Sequence, residues 1–277
     1  MLRINGKLFC ELNPTCYAIS LQKEIIKRHI RNMLRPGKLA TRKTDTPLPH
    51  LVAEHSCNMI KRAPGVNLEH QENKAVNIAI ACSQITGIVI RPGEEFSFWQ
   101  LVGKTTRRKG YKEGRIIRNN KLVAGTGGGL CNLANTIHLL VLNSPLTVTE
   151  FHNHSDALAP DHGKRIPLSA GTSVSYNNLD FRFKNETDQD FQLLVWCEGE
   201  QLNAQLRSQQ DIPHRYALTE EDHHFRKEGE KFYRISRIYR QAWDKRSGDL
   251  IEKKLILDNH SEVMFDPRLI PAEQIRE

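Results

Sequence analysis

Three stretches of the chain repeat apolar residues at helical spacing, whereas the second half alternates them at strand spacing. In "CYAISLQKEIIKRHIRNMLR", Ile19, Ile25, Ile26, Ile30 and Leu34 recur at roughly the helical period with basic residues between them. Pro36-Gly37 ends that pattern. In "NKAVNIAIACSQITG", Ala75, Ile78, Ala79, Cys82 and Ile85 share one face and Gly87 is the natural stop, which makes Cys82 a core thiol. In "CNLANTIHLLVLNS", Leu133, Ile137 and Leu140 form the clearest stripe.

Between these helices, "IVIRPGEEFSFW" reads as a strand, a Pro-Gly turn and a second extended piece. "IIRNNKLV" reads as a hairpin turning at Asn119-Asn120. After Pro145 come short runs rich in β-branched and aromatic residues: "LTVTEFHNH", "SVSYNN", "DFRFKN", "DFQLLVWCEG" and "QLNAQLRS". The tail adds two alternating strands around Ser247-Gly248. The expected fold class is α+β: helices first, then a glycine-loop and helix unit packed on an antiparallel sheet, then a β-rich extension.

At 277 residues, 39% hydrophobic and 26% charged, the chain has the composition of a soluble globular protein. No stretch approaches the roughly 18 to 20 apolar residues of a membrane span. The N-terminus lacks a basic, apolar, small-residue export layout, so the expected location is the cytoplasm. Six scattered cysteines form no metal-like Cys-x-x-Cys pair, and in that compartment they are free thiols. The net charge is +8, with basic residues dense in "KEIIKRHIRNMLRPGKLATRKT" and "GKTTRRKGYKEGR". Such surfaces are most simply solvated faces, but they also favour anionic partners. No helix-turn-helix, zinc-finger or RNA-binding signature accompanies the charge, so no specific nucleic acid is expected. The basic first helix suits peripheral contact with a membrane surface as well as packing on its own domain.

The candidate chemistry gathers at "GTGGGLC". Gly127, Gly128 and Gly129 lack Cβ atoms, so they permit positive φ and close approach of a backbone or a substrate. Cys131 follows them at the start of a helix. There, unpaired N–H groups and the dipole favour the reactive thiolate, and backbone N–H groups can hold an oxyanion. The competing reading is a flexible loop before a buried helix, with Cys131 as a small core residue. A thiol enzyme also needs a base. "EFHNHSDALAPDHGKR" offers His152 and His154 on one strand face, with Asp156, Asp161 and, on the next strand, Asp180 to orient an imidazole. His138 lies nearly two turns into the helix and is less suited. "HNHSD" has zinc-ligand residue types, but His-x-His is frequent by chance, and no metal or other cofactor is assigned.

"RPGEEFSFWQLVGKTTRRKGYKEG", "GTGGGLCNLANTIHLLVLNSPLTVTE", "FHNHSD" and "LDFRFKNET", in this order and spacing, resemble the VanW family of vancomycin-resistance-associated proteins over about residues 50 to 208. "LPHLVAEHSCNMIKR" and the β tail resemble its shorter, non-secreted bacterial branch. The resemblance divides the chain into a basic helical extension (1–48), a VanW-like domain (49–208) and a β-rich extension (209–277). It implies a role in cell-envelope or peptidoglycan metabolism. Some wall-anchored relatives are regarded as L,D-transpeptidases that work through a cysteine acyl-enzyme. The family's cysteine falls on Cys131, its His-Ser pair on His154 and Ser155, and its aspartate on Asp180. The chain departs from the family's Cys-Gln-x-Ser: Asn132, Leu133 and Ala134 follow Cys131. Asn132 can still offer an amide to an oxyanion, with a shorter reach. Two functions follow. One is a Cys–His acyl transferase acting on wall-type peptides. The other is a non-catalytic accessory protein that binds an anionic wall precursor or an envelope partner. The oligomeric state is left open.

Overall fold

A computed structural model describes residues 3–4, 7–34, 37–62, 67–118, 121–153, 156–157, 167, 171–176 and 178–276. The fold is α+β. Helix α1 spans Pro14–Leu34, α2 Leu68–Ile85, α3 Phe98–Val102 and α4 Leu130–Leu142. The core sheet places His50–Asn58 beside Gln201–Ser208, then Phe191–Glu198, then Ile88–Ile90, all antiparallel. On Gln201–Ser208 every second residue is buried, which is the strand period at work. Helices α2 and α4 cover the inner face. Ile78, Ile85, Leu133 and Ile137 meet Phe191, Leu193, Leu202 and Leu206 there, and all eight are fully buried. Each such side chain contributes on the order of 1.5–3 kcal/mol of apolar burial.

Helix α2 begins where the Asn67 side chain accepts a hydrogen bond from the His70 N–H, and it ends just before Gly87 at φ 80°. Ile78, Cys82 and Ile85 are buried as expected, whereas Ala79 is exposed, Ala75 is half-buried, and Asn77 and Ala81 are buried instead. A second four-stranded sheet orders Lys38–Leu39, Glu94–Ser97, Arg182–Lys184 and Thr147–Glu150. The expected glycine-punctuated hairpin forms from Glu113–Arg118 and Lys121–Thr126. Its turn, Asn119-Asn120, lies outside the described residues.

The β tail is a ribbon of three long antiparallel strands: His214–Glu228, Lys231–Asp244 and Leu250–Val263. The hairpin around Ser247-Gly248 joins the last two. The first strand was not anticipated, because "HRYALTEEDHHFRKE" carries too few apolar residues to show a period. The ribbon meets α4 through a small separate cluster in which Ile238 touches Leu139 and Leu142. The N-terminal helix lies against the second sheet, where Arg28 meets Glu150 and Asn32 meets Arg182.

Candidate functional site

The start of α4 is shaped by its glycines. Gly127 has φ 81° and Gly129 φ 99°, a region that side chains with a Cβ rarely enter. The close approach these glycines allow is to the protein itself. A Cβ on Gly128 would lie 2.5 Å from the carbonyl carbon of Gly114 and 2.7 Å from the Arg115 amide nitrogen. One on Gly127 would meet Thr105 at 2.6 Å, and one on Gly129 would meet Cγ of Lys74 at 2.0 Å. Buried Asn77 locks the loop. Its Nδ2 donates to the Gly128 carbonyl at 2.9 Å and the Lys112 carbonyl at 3.1 Å, while its Oδ1 accepts from the Lys112 N–H at 2.7 Å.

Cys131 is the second residue of α4 and is half-buried. Its Sγ lies 3.7 Å from the Val174 carbonyl and accepts from the Val174 N–H at 3.5 Å. Burial pushes the thiol up from its ordinary value, and the backbone N–H does not reverse this. A helix N-terminus was expected to do the opposite; desolvation of the thiolate outweighs it. Among the described residues, no histidine or carboxylate is bonded to this thiol.

The other expected residues are placed as follows. The Asn132 Oδ1 accepts from the Cys57 Sγ at 3.4 Å, so its side chain is turned to the core sheet. His154 lies outside the described residues, as do Ser155 and Asp161. Asp156 belongs to a two-residue strand, Asp156–Ala157, parallel to Leu250–Val263, and its side chain lies outside the described set. His152 faces Glu150, with Nε2 and Oε1 2.9 Å apart. Asp180 is buried and fully engaged. Its carboxylate accepts from Ser97 Oγ at 2.6 Å, Arg182 Nε at 2.7 Å, and the Phe181 and Trp99 N–H groups at 3.0 and 3.1 Å. That bonding makes it a structural anchor rather than a partner for an imidazole. His138 is buried between Phe151 and Phe181, bonded to Thr172 Oγ1 at 3.0 Å, and desolvation lowers its pKa to about 3.

A charged group that sequence reasoning missed sits across the α4 start. The Lys74 stem packs over Gly129, the residue before the helix. Burial, with the Lys61 and Arg115 charges nearby, lowers the Lys74 pKa to about 8, against a smaller opposing effect of Cys57. None of these three cations forms an ion pair with a carboxylate among the described residues. Gly129 also supplies no side-chain cap to the first turn of α4. Half-buried Lys74, with exposed Lys61 and Arg115 near it, thus gathers positive charge at a helix N-terminus, which suits an anion. One signal was legible: Lys74 interrupts the stripe of buried residues Gln71, Ile78, Ala81 and Ile85 on α2. Two recesses lie elsewhere among the described residues. One, of about 460 Å³, is lined by His55, Leu139 and Tyr216. The other, of about 570 Å³, is lined by Asn32, Arg91 and Arg182. Cys131 lines neither.

Comparison with known proteins agrees with the sequence motifs. Residues 73–207 match the family model described as VanW like protein. The chain is 27% identical over 218 residues to the vancomycin B-type resistance protein VanW of Enterococcus faecalis (strain ATCC 700802 / V583), covering 79% of each chain. It is 33% identical over 118 residues to the uncharacterized protein YoaR of Bacillus subtilis (strain 168). That match spans 43% of this chain and 37% of the Bacillus protein. No solved structure matches.

Proposed function

The chain belongs to the VanW family, and from that premise we propose that it serves the cell envelope in the vancomycin-resistance setting by binding an anionic wall-type ligand. Cys131 forms no covalent bond in this reading. The observation that carries it is Lys74 packed over Gly129 at the uncapped start of α4, with the Lys61 and Arg115 charges nearby. Three cations without carboxylate partners repel one another, and an anion seated among them removes that cost. Ligand binding therefore raises the Lys74 pKa, and affinity falls as the pH climbs past about 8. An acyl transferase would instead need a lowered thiol pKa and a bonded base. The raised Cys131 pKa weighs against it.

Calorimetric titration with a UDP-linked muramyl peptide, and with UDP and the peptide separately, tests the reading. The Lys61→Ala/Arg115→Ala variant should bind the anionic probe about tenfold more weakly, a loss of about 1.4 kcal/mol. Lys74→Met should remove the fall in affinity above pH 8. Cys131→Ser should bind as the native chain does. Unchanged affinity in the double variant overturns the proposal. So does an acyl adduct, seen by intact mass, that Cys131→Ser abolishes.

A further inference from the structure

Helix α1 packs by its polar side. Arg28 is only 5% exposed, and its guanidinium forms a two-pronged pair with Glu150, Nη1 to Oε2 at 2.6 Å and Nη2 to Oε1 at 2.5 Å. One turn on, Asn32 Oδ1 accepts from Arg182 Nη2 at 2.7 Å. Leu21 and Ile25 are half-buried on this same inner side. At about 100° per residue, Ile19 lies opposite Arg28, and Ile26, Ile30 and Met33 fall with Ile19 inside a sector of roughly 60°. All four are more than half exposed, Met33 at 84%, and Leu34 beside them is 78% exposed. An apolar stripe along most of a 21-residue helix is thus turned away from the protein and held there by the buried Arg28–Glu150 ion pair and the Asn32–Arg182 hydrogen bond.

The charge is as uneven as the hydrophobicity. Residues 1–43 hold ten of the 40 Lys and Arg and two of the 32 Asp and Glu. The whole +8 surplus therefore lies in this segment, and the other 234 residues balance. Exposed Lys23, Lys27 and Arg31 flank the stripe on one side. Glu24 is the acidic residue of this helix, shared between the two lysines, so the flank stays positive.

We propose that the outer face of α1 is a docking surface for an anionic lipid bilayer. The apolar stripe would sink about 5–10 Å into the headgroup boundary while the basic flank meets lipid phosphates. A second copy is the poorer occupant, because stripe against stripe brings two positive flanks together. A purely polyanionic partner leaves the exposed Ile and Met side chains in water. The proposal is independent of the cationic group at the start of α4.

Sedimentation of the full chain with vesicles decides it. Binding is expected to phosphatidylcholine mixed with phosphatidylglycerol, and weakly or not at all to phosphatidylcholine alone. Each of Lys23→Gln and Lys27→Gln should weaken binding by about fivefold. Ile26→Asp/Ile30→Asp should abolish it, with the circular dichroism spectrum and elution volume of the native chain. No binding by the native chain overturns the proposal, as does undiminished binding by Ile26→Asp/Ile30→Asp. A dimer that this variant converts to monomer, without vesicle binding, assigns the stripe to a second copy instead.

Discussion

Helices α1 and α4 carry similar apolar stripes and use them in opposite directions. On α4, Leu133, Ile137 and Leu140 face the core sheet and are fully buried. On α1, Ile19, Ile26 and Ile30 face outward, and the side facing the protein holds Arg28. The difference lies in what each helix meets. Helix α4 lies on an apolar sheet face built from Leu202, Ala204 and Leu206. Helix α1 lies on a sheet edge where Glu150, Arg182 and Glu95 already form an ion network. An amphipathic pattern thus states that a helix has two faces; the partner surface decides which one turns inward.

The largest expected effect breaks the α4 side of this comparison. Ile137→Asp places a carboxylate among fully buried apolar groups, and a loss above about 4 kcal/mol is expected, a large share of the about 5–15 kcal/mol that holds a typical domain folded. Urea denaturation measures it; a loss under half that size would mean that α4 is not the centre of the core. Next in size is Arg28→Ala, which leaves Glu150 half-buried beside His152 without its main partner. Burial works to raise the Glu150 pKa, but the hydrogen bonds of His152 and Arg28 and the Arg28 charge prevail and hold it at about 2. Removing one member of a buried pair costs about 3–5 kcal/mol. Helix α1 can escape part of that cost by undocking, so faster proteolysis within α1 should accompany a smaller measured loss. An unchanged digestion pattern with unchanged stability would show that Arg28 does not hold the helix.

A third expected effect concerns acid. Unfolded, the His138 imidazole takes up its proton near its ordinary value of 6.5; folded, burial lowers this to about 3. Between these values the unfolded chain binds more protons, so stability falls as the pH drops from 6.5 toward 3 and is complete above 6.5. The slope is at most about 1.4 kcal/mol per pH unit. Glu150 adds a fall of the same sign, but only below its ordinary 4.5. Comparing stability at pH 6.5 and 4.5 therefore separates the histidines from Glu150; His55, which burial also holds below its ordinary value, adds to the same interval, and the His138 share is read from its variant. His138→Phe, which keeps the ring between Phe151 and Phe181, should flatten that interval. A slope equal to the native one would assign the acid sensitivity to other groups.

The legible parts of the molecule are those where local period and burial agree. The stripe of α4, the α2 thiol Cys82 and the hairpin at Ser247-Gly248 follow directly from spacing. The glycine loop was legible as a place of close approach, but not as to what approaches. Its neighbours are Gly114, Arg115, Thr105 and Lys74, brought in by chain folding. Asp180 shows the same limit: as a residue type it suits an imidazole, and only the fold reveals Ser97 and Arg182 around it. The Cys131 thiol was read from its helix position, whereas its surroundings, Val174 and burial, come from far along the chain. The first ribbon strand, rich in charge, gave no period to read.

The smallest expected effect is the sharpest test of the comparison. Ile26→Asp repeats on α1 the change that should strongly destabilise the protein at Ile137, yet Ile26 is 57% exposed. A carboxylate there is not desolvated, and it lies one turn from Lys23 on the helix surface. The expected change in unfolding free energy is within about 0.5 kcal/mol, the range of ordinary surface substitutions. The same chemical change at two isoleucines then differs by several kcal/mol in stability, while only the change at Ile26 acts on membrane docking. A stability loss at Ile26 comparable with that at Ile137 would mean that the outer stripe of α1 is covered in solution. The two helices would then obey the same rule after all, with the covering partner still to be found.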